Sequence, residues 1–597
     1  MPGFSASLKY SAFAFLFAAQ GVFAGDLARP DSASEALTLM MRARHAAQAM
    51  ATPDASAQTL QDAARELERL FKLLDEQPYR DFRAANTYLQ AERLNIAIPL
   101  AEVYARLGEC ANALQAFESS AGVTLIPVLD QIAAHPHFAS IRDDPRFQAV
   151  IERYRKGGIA SRKSFATPYT PTLTVEQRIA GLSHFWSEVR HNFANVDLMP
   201  KLDWDAVYLD YVRKVMKAET TADYYTVLMR LAPLLHDGHT NIYPPEQLAS
   251  RFYARPPVET ELVEDMVVIR AVHDGGLGAQ LHPGDRILEI DGIEVKQYAR
   301  QHVRPFVSSS TEQDRNVRMY SYQLLAGAQS RPLTLTTLDS QGRRRQVKLA
   351  RSGLSRPASQ PFPFHVSAEG IAYLKLDHFE NEEGVQAFLK ALPQILLAKG
   401  LVLDVRTNGG GSTDVGLQIL KYLTHKPIQL TRAKVRFEHQ GVRANAGDSV
   451  SWQPLAFESL ISDIPAARRF DGPVALLIGP KTFSAAEDFA AIFAQARRGM
   501  LVGEATGGST GQPLMLDLPG GGQARICVKR DFFADGTDFV GKGIGPTHEV
   551  KNTVAAVRHG SDPVLLEARR LLGAVPVGKL SSALHNIHHA KNDGLTF

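Results

Sequence analysis

The feature that most constrains the fold of this chain is the alternation of strands and helices between residues 362 and 557. Four apolar runs, at 371–376, 401–405, 474–478 and 500–502, are typical of strands buried in a sheet. Helical stretches separate them. The pattern predicts an α/β core.

One candidate nucleophile lies between the third of these strands and the helix that follows. The segment Lys481-Thr-Phe-Ser484-Ala-Ala-Glu487 follows Gly479-Pro480 and precedes an alanine-rich helical stretch. A strand end fixes the position of such a serine, and the free N–H groups of the next helix favour negative charge nearby. Without flanking glycines, the segment does not fit the G-x-S-x-G elbow of α/β-hydrolases. A helix N-cap is the alternative role of Ser484.

A glycine-rich loop follows the second strand. The run that ends at Arg406 breaks into Thr407-Asn408-Gly409-Gly410-Gly411. Glycines allow positive φ angles and leave backbone N–H groups unobstructed. Acyl transfer needs such donors at the oxygen that becomes negative. Gly409, Gly410 and Ala485 are therefore candidate oxyanion donors, although a tight turn alone would also explain the glycines.

Six motifs follow one another along the chain. They are Leu235-His-Asp237-Gly238-His239-Thr240, a PDZ-like stretch, Thr407 to Gly411, Lys481 to Glu487, Val502-Gly503-Glu504-Ala-Thr506-Gly507-Gly508, and Gly541-Lys-Gly543-Ile544-Gly-Pro546. In this order they resemble the tail-specific, or carboxyl-terminal-processing, serine protease family, including its tricorn-core-like branch. The resemblance covers roughly residues 170 to 560 and implies a crotonase-like α/β protease core.

The candidate general base differs from the one in the carboxyl-terminal-processing branch. That branch has a lysine about 25 residues after the serine, and the matching position here carries Ser509. No lysine lies between Lys481 and Lys529. His239 replaces it as the candidate base, since its pKa suits proton transfer at neutral pH and the tricorn-like branch uses a histidine in this region. A helix-end histidine held by Asp237 is the alternative.

A third group is expected to orient His239, as the acid of a catalytic triad does. The resemblance points to the stretch from Asp535 to Ile544, where Val540 stands in place of the expected glutamate. Asp538 is the nearest carboxylate and becomes the candidate. Glu487, one helical turn after Ser484, competes with it.

Short strands dominate residues 255–352. The stretch Leu281-His-Pro-Gly-Asp285-Arg-Ile-Leu-Glu-Ile-Asp-Gly292 resembles a PDZ domain, which binds an extended peptide by strand addition. The N–H groups of the loop at 275–278 are candidate receivers for a peptide carboxylate. This loop consists of Gly275, Gly276, Leu277 and Gly278. A purely structural spacer is the alternative.

Two helical regions precede the strands. Residues 30–158 form a predicted all-α domain that resembles a tetratricopeptide-like helical repeat, a candidate site for a protein partner. A linker rich in Gly, Ser, Thr and Pro follows. Residues 170–250 form a predicted helical cap of the protease, and 353–560 and 561–597 are assigned to its α/β core and a C-terminal tail.

The N-terminus predicts export. Lys9, the apolar run 12–19 and the small residues up to Ala24 are typical of a secretory signal peptide at 1–24. The mature chain is therefore expected in the periplasm or outside the cell. The apolar run is too short to span a membrane, and no later segment is long enough.

Composition limits the other classes of function. A net charge of +3 on 597 residues, without a basic block, argues against nucleic-acid binding. The two cysteines, Cys110 and Cys527, are assigned to different domains, and Cys527 fits a buried apolar position. His585, His588 and His589 fit a polar tail better than a metal site. No metal or other cofactor is expected.

The sequence thus favours an exported multidomain α/β serine peptidase that acts on a peptide or protein. Ser484 would attack the carbonyl carbon and His239 would move the proton. Because these residues lie on opposite sides of the PDZ-like stretch, the site should form at a domain interface, where cap movement could switch it. The alternative is a catalytically inactive protein that binds a peptide or ligand on a peptidase scaffold.

Overall fold

The structure is a computed structural model that describes residues 30–85, 87–119, 134–155, 165–353, 361–438, 444–445, 450–455, 459, 462 and 464–574. The chain divides into two compact units, residues 1–164 and 165–597. The predicted signal peptide at 1–24 and the three histidines near the C-terminus lie outside the described residues. No described helix has the length and apolar character needed to cross a membrane.

The first unit is helical in its described residues, which confirms the prediction of a helical N-terminal region. Its α1 and α2 begin at serines whose side chains accept a backbone N–H, as N-caps do. Apolar side chains of all its helices meet in one core, which includes Leu67, Phe117 and Phe147. The helices are α1 Ala33–Met50, α2 Ala57–Leu73, α3 Tyr79–Ala85, α4 Thr87–Arg106, α5 Cys110–Ser119 and α6 Pro145–Arg155, with a 3₁₀ turn at Pro136–Phe138.

The second unit opens with the helices of the predicted cap. These are α7 Val175–Asn192, α8 Trp204–Met216 and α9 Thr221–Leu228, followed by β1 Asn241–Tyr243 and the short α10 Ala249–Phe252. Their apolar faces share one core with the hairpin of β15 Pro513–Asp517 and β16 Gln523–Cys527. In addition, β1 pairs antiparallel with β16. The helical cap is therefore joined to the α/β core by both a hydrophobic core and a sheet.

The next region is an antiparallel sheet in the order β2-β3-β4-β6-β7, with β5 paired to β4. Its edge strands are β2 and β7. The strands are β2 Val258–Val263, β3 Met266–Val272, β4 Arg286–Ile290, β5 Ile293–Glu294, β6 Leu333–Leu338 and β7 Arg344–Leu349. Helical segments α11 Val295–Tyr298 and α12 Glu312–Asn316, and π-helical turns Ala299–Val303 and Val317–Gln323, lie between β5 and β6.

A six-stranded sheet in the order β18-β14-β13-β10-β9-β8 forms the α/β core. All pairs are parallel except β8 with β9. Every residue of β10 and β13 is buried, because helices cover both faces. The strands of this sheet are β8 Phe364–Val366, β9 Ile371–Lys375, β10 Gly400–Asp404, β13 Val474–Ile478, β14 Met500–Gly503 and β18 His548–Glu549. A separate sheet consists of β11 Arg432–Glu438, β12 Val450–Leu455 and β17 Lys529–Phe532.

Helices α13 Glu383–Ile395, α14 Thr413–Leu420 and α15 Ala485–Gln495 pack on one face of this sheet. Helix α17 Pro563–Ala574, which follows the short α16 Val554–His559, packs on the other through Val564, Ala568 and Leu572. Residues 563–574 therefore belong to the core, which corrects their assignment to a tail. Since β10 and β13 are parallel neighbours, the loops after them emerge at the same edge of the sheet.

Candidate active site

Ser484 lies on a strained turn between β13 and α15. Its backbone has φ 57° and ψ −129°, a region that residues with a Cβ rarely adopt. Two hydrogen bonds hold the turn: Phe483 N donates to Asn408 O (3.0 Å), and Ser484 N donates to Ser509 O (3.1 Å). The chain thus forms a sharp nucleophile-type elbow without the glycines that usually flank one.

The strain at Ser484 leads to a testable prediction about the stability of the protein. Glycine adopts positive φ at little cost, so Ser484→Gly should be more stable than Ser484→Ala by about 1 kcal/mol in urea unfolding. Ser183 in the middle of α7 provides the control, because there glycine should be less stable than alanine by about 1 kcal/mol. Equal or reversed stability of the two Ser484 variants would contradict the strain.

His239 lies directly against Ser484. Its Nε2 is 3.0 Å from Ser484 Oγ, and its Nδ1 is 2.8 Å from Ser509 Oγ. The ring stacks on Phe483 with 4.6 Å between ring centroids and is 2 % exposed. The two residues are 245 positions apart in the sequence. The structure therefore brings the predicted nucleophile and the predicted base within hydrogen-bond distance.

The backbone before β1 fixes the position of His239. His239 N donates to Asp237 Oδ1 (2.9 Å), and Asn195 Nδ2 donates to Asp237 Oδ2 (2.8 Å). Cys527 N donates to Thr240 Oγ1 (3.2 Å), next to the pairing of β1 with β16. Asp237 therefore holds the backbone of His239 rather than its ring.

The imidazole of His239 is held in its neutral form. Burial lowers its pKa well below the usual value, and the cations Arg525, Arg318 and Lys529 lower it further. In a neutral ring one nitrogen is a donor and the other an acceptor. A proton on Nδ1 satisfies both contacts, because Nδ1–H then donates to Ser509 Oγ while Nε2 accepts from the Ser484 hydroxyl. That is the tautomer a general base requires.

The structure does not bring Asp538 to His239, which corrects the prediction that this carboxylate orients the ring. Asp538 Oδ2 lies 2.8 Å from Arg530 Nη2. Ser509 occupies the Nδ1 side of His239 instead. The sequence identified Ser509 only as the residue in place of a lysine, and no local signal indicates that its loop folds back onto the histidine.

Glu487, the competing carboxylate, holds the loop that carries Ser509 through three hydrogen bonds. Its oxygens accept from Thr506 Oγ1 (2.5 Å), Gly508 N (2.7 Å) and Ser509 N (2.7 Å). Burial raises the pKa of Glu487 to about 8, and the three hydrogen bonds oppose that rise. Glu487 therefore acts on His239 only through the position of Ser509.

The glycine loop after β10 lies against the Ser484 turn. A Cβ on Gly410, where φ is 100°, would be 2.6 Å from Ser484 Cβ, so only glycine fits. However, Gly410 N already donates to Asn408 Oδ1 (2.9 Å), and Asn408 Nδ2 donates to Leu376 O (3.0 Å). This corrects the assignment of Gly410 as an oxyanion donor. Asn408, which the sequence did not single out, holds the loop.

Two other predicted donors have free N–H groups. Among the hydrogen bonds of the described residues, none uses the backbone N–H of Gly409 or Ala485. A Cβ on Gly409 would meet nothing within 4 Å, so this residue borders open space. Ala485 is the first residue of α15, where backbone N–H groups lack helical partners.

The antiparallel region contributes side chains to the same site. Ser310 Oγ accepts from Gly238 N (2.9 Å), beside His239. Thr311 Oγ1 donates to Gly507 O (2.7 Å), and Gln313 Nε2 donates to Thr506 O (2.9 Å). Hydrogen bonds from this region therefore hold both the loop that carries His239 and the loop that carries Ser509.

The predicted carboxylate-binding loop is partly occupied by its own contacts. Leu277 N donates to Asp274 Oδ1 (2.9 Å), and Gly278 N donates to Asp274 O (3.0 Å). Leu277 and Gly278 are therefore not free donors, which corrects that part of the prediction. Gly275 and Gly276 complete the same turn between β3 and β4.

Comparison with known proteins finds a peptidase family that matches part of the core. The profile of Peptidase family S41 matches residues 370–550, which contain the glycine loop, Ser484 and Ser509. Over this segment, which is less than half of the chain, the sequence matches the S41 serine-type peptidases. The match contains four of the six motifs, those from Thr407 to Pro546.

Carboxyl-terminal-processing proteases are among the relatives of this chain. The chloroplastic C-terminal processing peptidase of Tetradesmus obliquus is 24% identical over 365 residues, 58% of this chain and 71% of that protein. A carboxyl-terminal-processing protease of Synechocystis is 22% identical over 440 residues, 70% of this chain and 92% of that protein.

One solved structure has a similar fold. The crystal structure of mature CPAF aligns with a TM-score of 0.54 and 13% sequence identity, over 67% of this chain and 97% of that chain. At this identity the likeness concerns the fold alone. It supports a multidomain α/β architecture.

Proposed function

We propose that this S41 peptidase hydrolyses peptide bonds through an acyl-enzyme formed on Ser484. The observation that carries the proposal is the 3.0 Å contact between His239 Nε2 and Ser484 Oγ, at a strained turn. A peptide or protein is the substrate class, in line with the family. The reaction needs no cofactor.

In the first half of the reaction, Ser484 Oγ attacks the peptide carbonyl carbon and His239 Nε2 takes the hydroxyl proton. The N–H groups of Gly409 and Ala485 stabilise the oxyanion. The imidazolium then gives its proton to the leaving amine, which leaves an ester on Ser484. In the second half, water attacks the ester and gives a proton to His239. The imidazolium returns this proton to Ser484 Oγ as the bond between Oγ and the acyl carbon breaks, and the carboxylic acid leaves.

Labelling with a fluorophosphonate tests this proposal without a known substrate. The probe phosphonylates only an activated serine, so mass spectrometry of the native protein should find the adduct on Ser484. The alternative is an inactive peptide- or ligand-binding protein, which one observation favours: no carboxylate of the described residues contacts the His239 ring. A well-folded protein that stays unlabelled would support that alternative.

Ser509 is proposed as a positioning residue. By accepting the Nδ1 proton it fixes the tautomer and the orientation of His239. Ser509→Ala should lower kcat by about 10- to 100-fold with little change in KM, because binding groups are untouched. Thr510→Val is the control, since the neighbouring buried hydroxyl contacts Asp531 and not His239. Equal losses in both variants would contradict the role.

Arg525 is expected to set the pH range of activity. Burial depresses the His239 pKa most, and Arg525 is the next cause. A base must be unprotonated, so activity is lost as pH falls through this pKa. Removing the cation in Arg525→Gln raises the pKa, and the acidic limb of kcat/KM should shift to higher pH. Arg343→Gln, the same charge change on a distant turn, should leave the profile unchanged.

The finer domain assignments are proposals as well. We propose a crotonase-like core and a PDZ-like region at 255–352 that receives extended peptide at an edge strand. The antiparallel sheet with edges β2 and β7 supports the latter. Cleavage of one peptide with a free and with an amidated C-terminus tests selectivity for a carboxylate, and equal rates would exclude it. Export is tested by fractionation of cells that produce the full chain.

A further inference from the structure

Three potential metal ligands lie together in the first unit, and none of them is a residue of the candidate active site. Glu102 is on α4, and His135 and His137 flank Pro136 at the 3₁₀ turn. One ligand atom of each residue lies within 4.8 Å of those of the other two. All three side chains are partly exposed. Two imidazoles and one carboxylate form a ligand set that proteins use for zinc.

Polar contacts within the group are incomplete. His137 Nδ1 is hydrogen-bonded to Glu102 Oε1. The two histidine rings meet edge to face, with 4.7 Å between ring centroids. His135 Nδ1 is buried and has no hydrogen-bond partner among the described residues. A buried ring nitrogen without a partner calls for a ligand that the protein itself does not provide.

Packing fixes the positions of these side chains. Phe138, beside His137, is 1 % exposed and packs against Phe117 and Phe147, with ring centroids 6.0 and 5.8 Å away. Val103, beside Glu102, is 2 % exposed in the same core. The ligands therefore stand on two anchored elements, as a preorganised metal site requires.

We propose that Glu102, His135 and His137 bind a zinc ion. Tetrahedral ligands about 2.0–2.1 Å from zinc lie about 3.3 Å from one another, so small side-chain rotations suffice. The ion would replace the proton shared by His137 and Glu102. Since 30 % of the Glu102 side chain and 35 % of the His137 side chain are exposed, a fourth position remains open to water. The ion would join the 3₁₀ turn to α4.

The test uses the full chain, stripped of metal with a chelator, in a background that removes the competing tail histidines (His585→Ala, His588→Ala, His589→Ala). Calorimetric titration with Zn²⁺ should show saturable binding of one ion, and Co²⁺ should give the visible absorption of a tetrahedral site. Zn²⁺ should also raise the melting temperature of the protein.

Variants identify the ligands. Loss of an outer-shell partner weakens metal binding about 10- to 100-fold, so Glu102→Gln and His135→Ala, which remove direct ligands, should each weaken it by at least about 100-fold. His273→Ala is the control, because it removes a His–Glu pair (3.0 Å to Glu259) that is not part of such a three-residue group. Absence of Zn²⁺ binding in the background protein, or binding unchanged in Glu102→Gln and His135→Ala, would overturn the proposal.

Discussion

Ser484→Ala is expected to reduce peptide hydrolysis about 10⁶-fold, to the level of the residual catalysis that binding and oxyanion donors provide. Only Oγ is removed. The backbone bonds of the turn, including Ser484 N to Ser509 O, do not depend on that atom. Circular dichroism and the melting temperature should therefore match those of the native protein, while turnover of a peptide substrate is lost.

Ser183→Ala serves as the control for this experiment. Its hydroxyl is also half-buried and hydrogen-bonded, to Ile179 O and Tyr208, but lies on α7 away from the Ser484 turn. Turnover should survive in this variant. A Ser484→Ala protein that still cleaves at the native rate would remove Ser484 from the mechanism and with it the proposed function.

The position of Ser484 at a strand end was predictable because it depends on local sequence pattern. The apolar runs of β10 and β13 are typical of buried strands, and each ends at a segment of unusual composition. Parallel neighbours place their ends at one edge of the sheet. The glycine loop and Ser484 meet because β10 and β13 are parallel neighbours, a pairing that the sequence analysis does not predict.

The support for His239 was not predictable in the same way. The resemblance points to Asp538, but the carboxylate of this residue is paired with Arg530. Ser509 reaches the ring because Glu487 accepts three hydrogen bonds from the 506–509 loop and thereby fixes the position of that loop. Such an arrangement depends on contacts between distant segments, which periodicity and composition do not encode.

The choice among the candidate oxyanion donors also depends on contacts that the sequence does not show. Three glycines in a row offer equivalent N–H groups as far as the sequence is concerned. The side chain of Asn408 distinguishes them, since it takes the Gly410 N–H and leaves that of Gly409 free. Choosing between the glycines therefore required knowledge of a side-chain conformation.

Movement of the cap was predicted from the separation of His239 and Ser484 across the PDZ-like stretch. In the structure the loop of His239 leads into β1, which pairs with β16 of the core. The cap helices also share a buried core with β15 and β16. Moving His239 away from Ser484 would break this sheet or expose that core, so the structure argues against a large movement of the cap.

His239→Ala should cost nearly as much turnover as Ser484→Ala, about 10⁶-fold, because a serine without its base is a weak nucleophile. The double variant should be no slower than either single variant, since both residues act in one step and their effects are not additive. His191→Ala, on α7 and paired with Glu438, is the control and should retain turnover. Losses that multiply in the double variant would show that the two residues act independently, which the 3.0 Å contact between His239 Nε2 and Ser484 Oγ argues against.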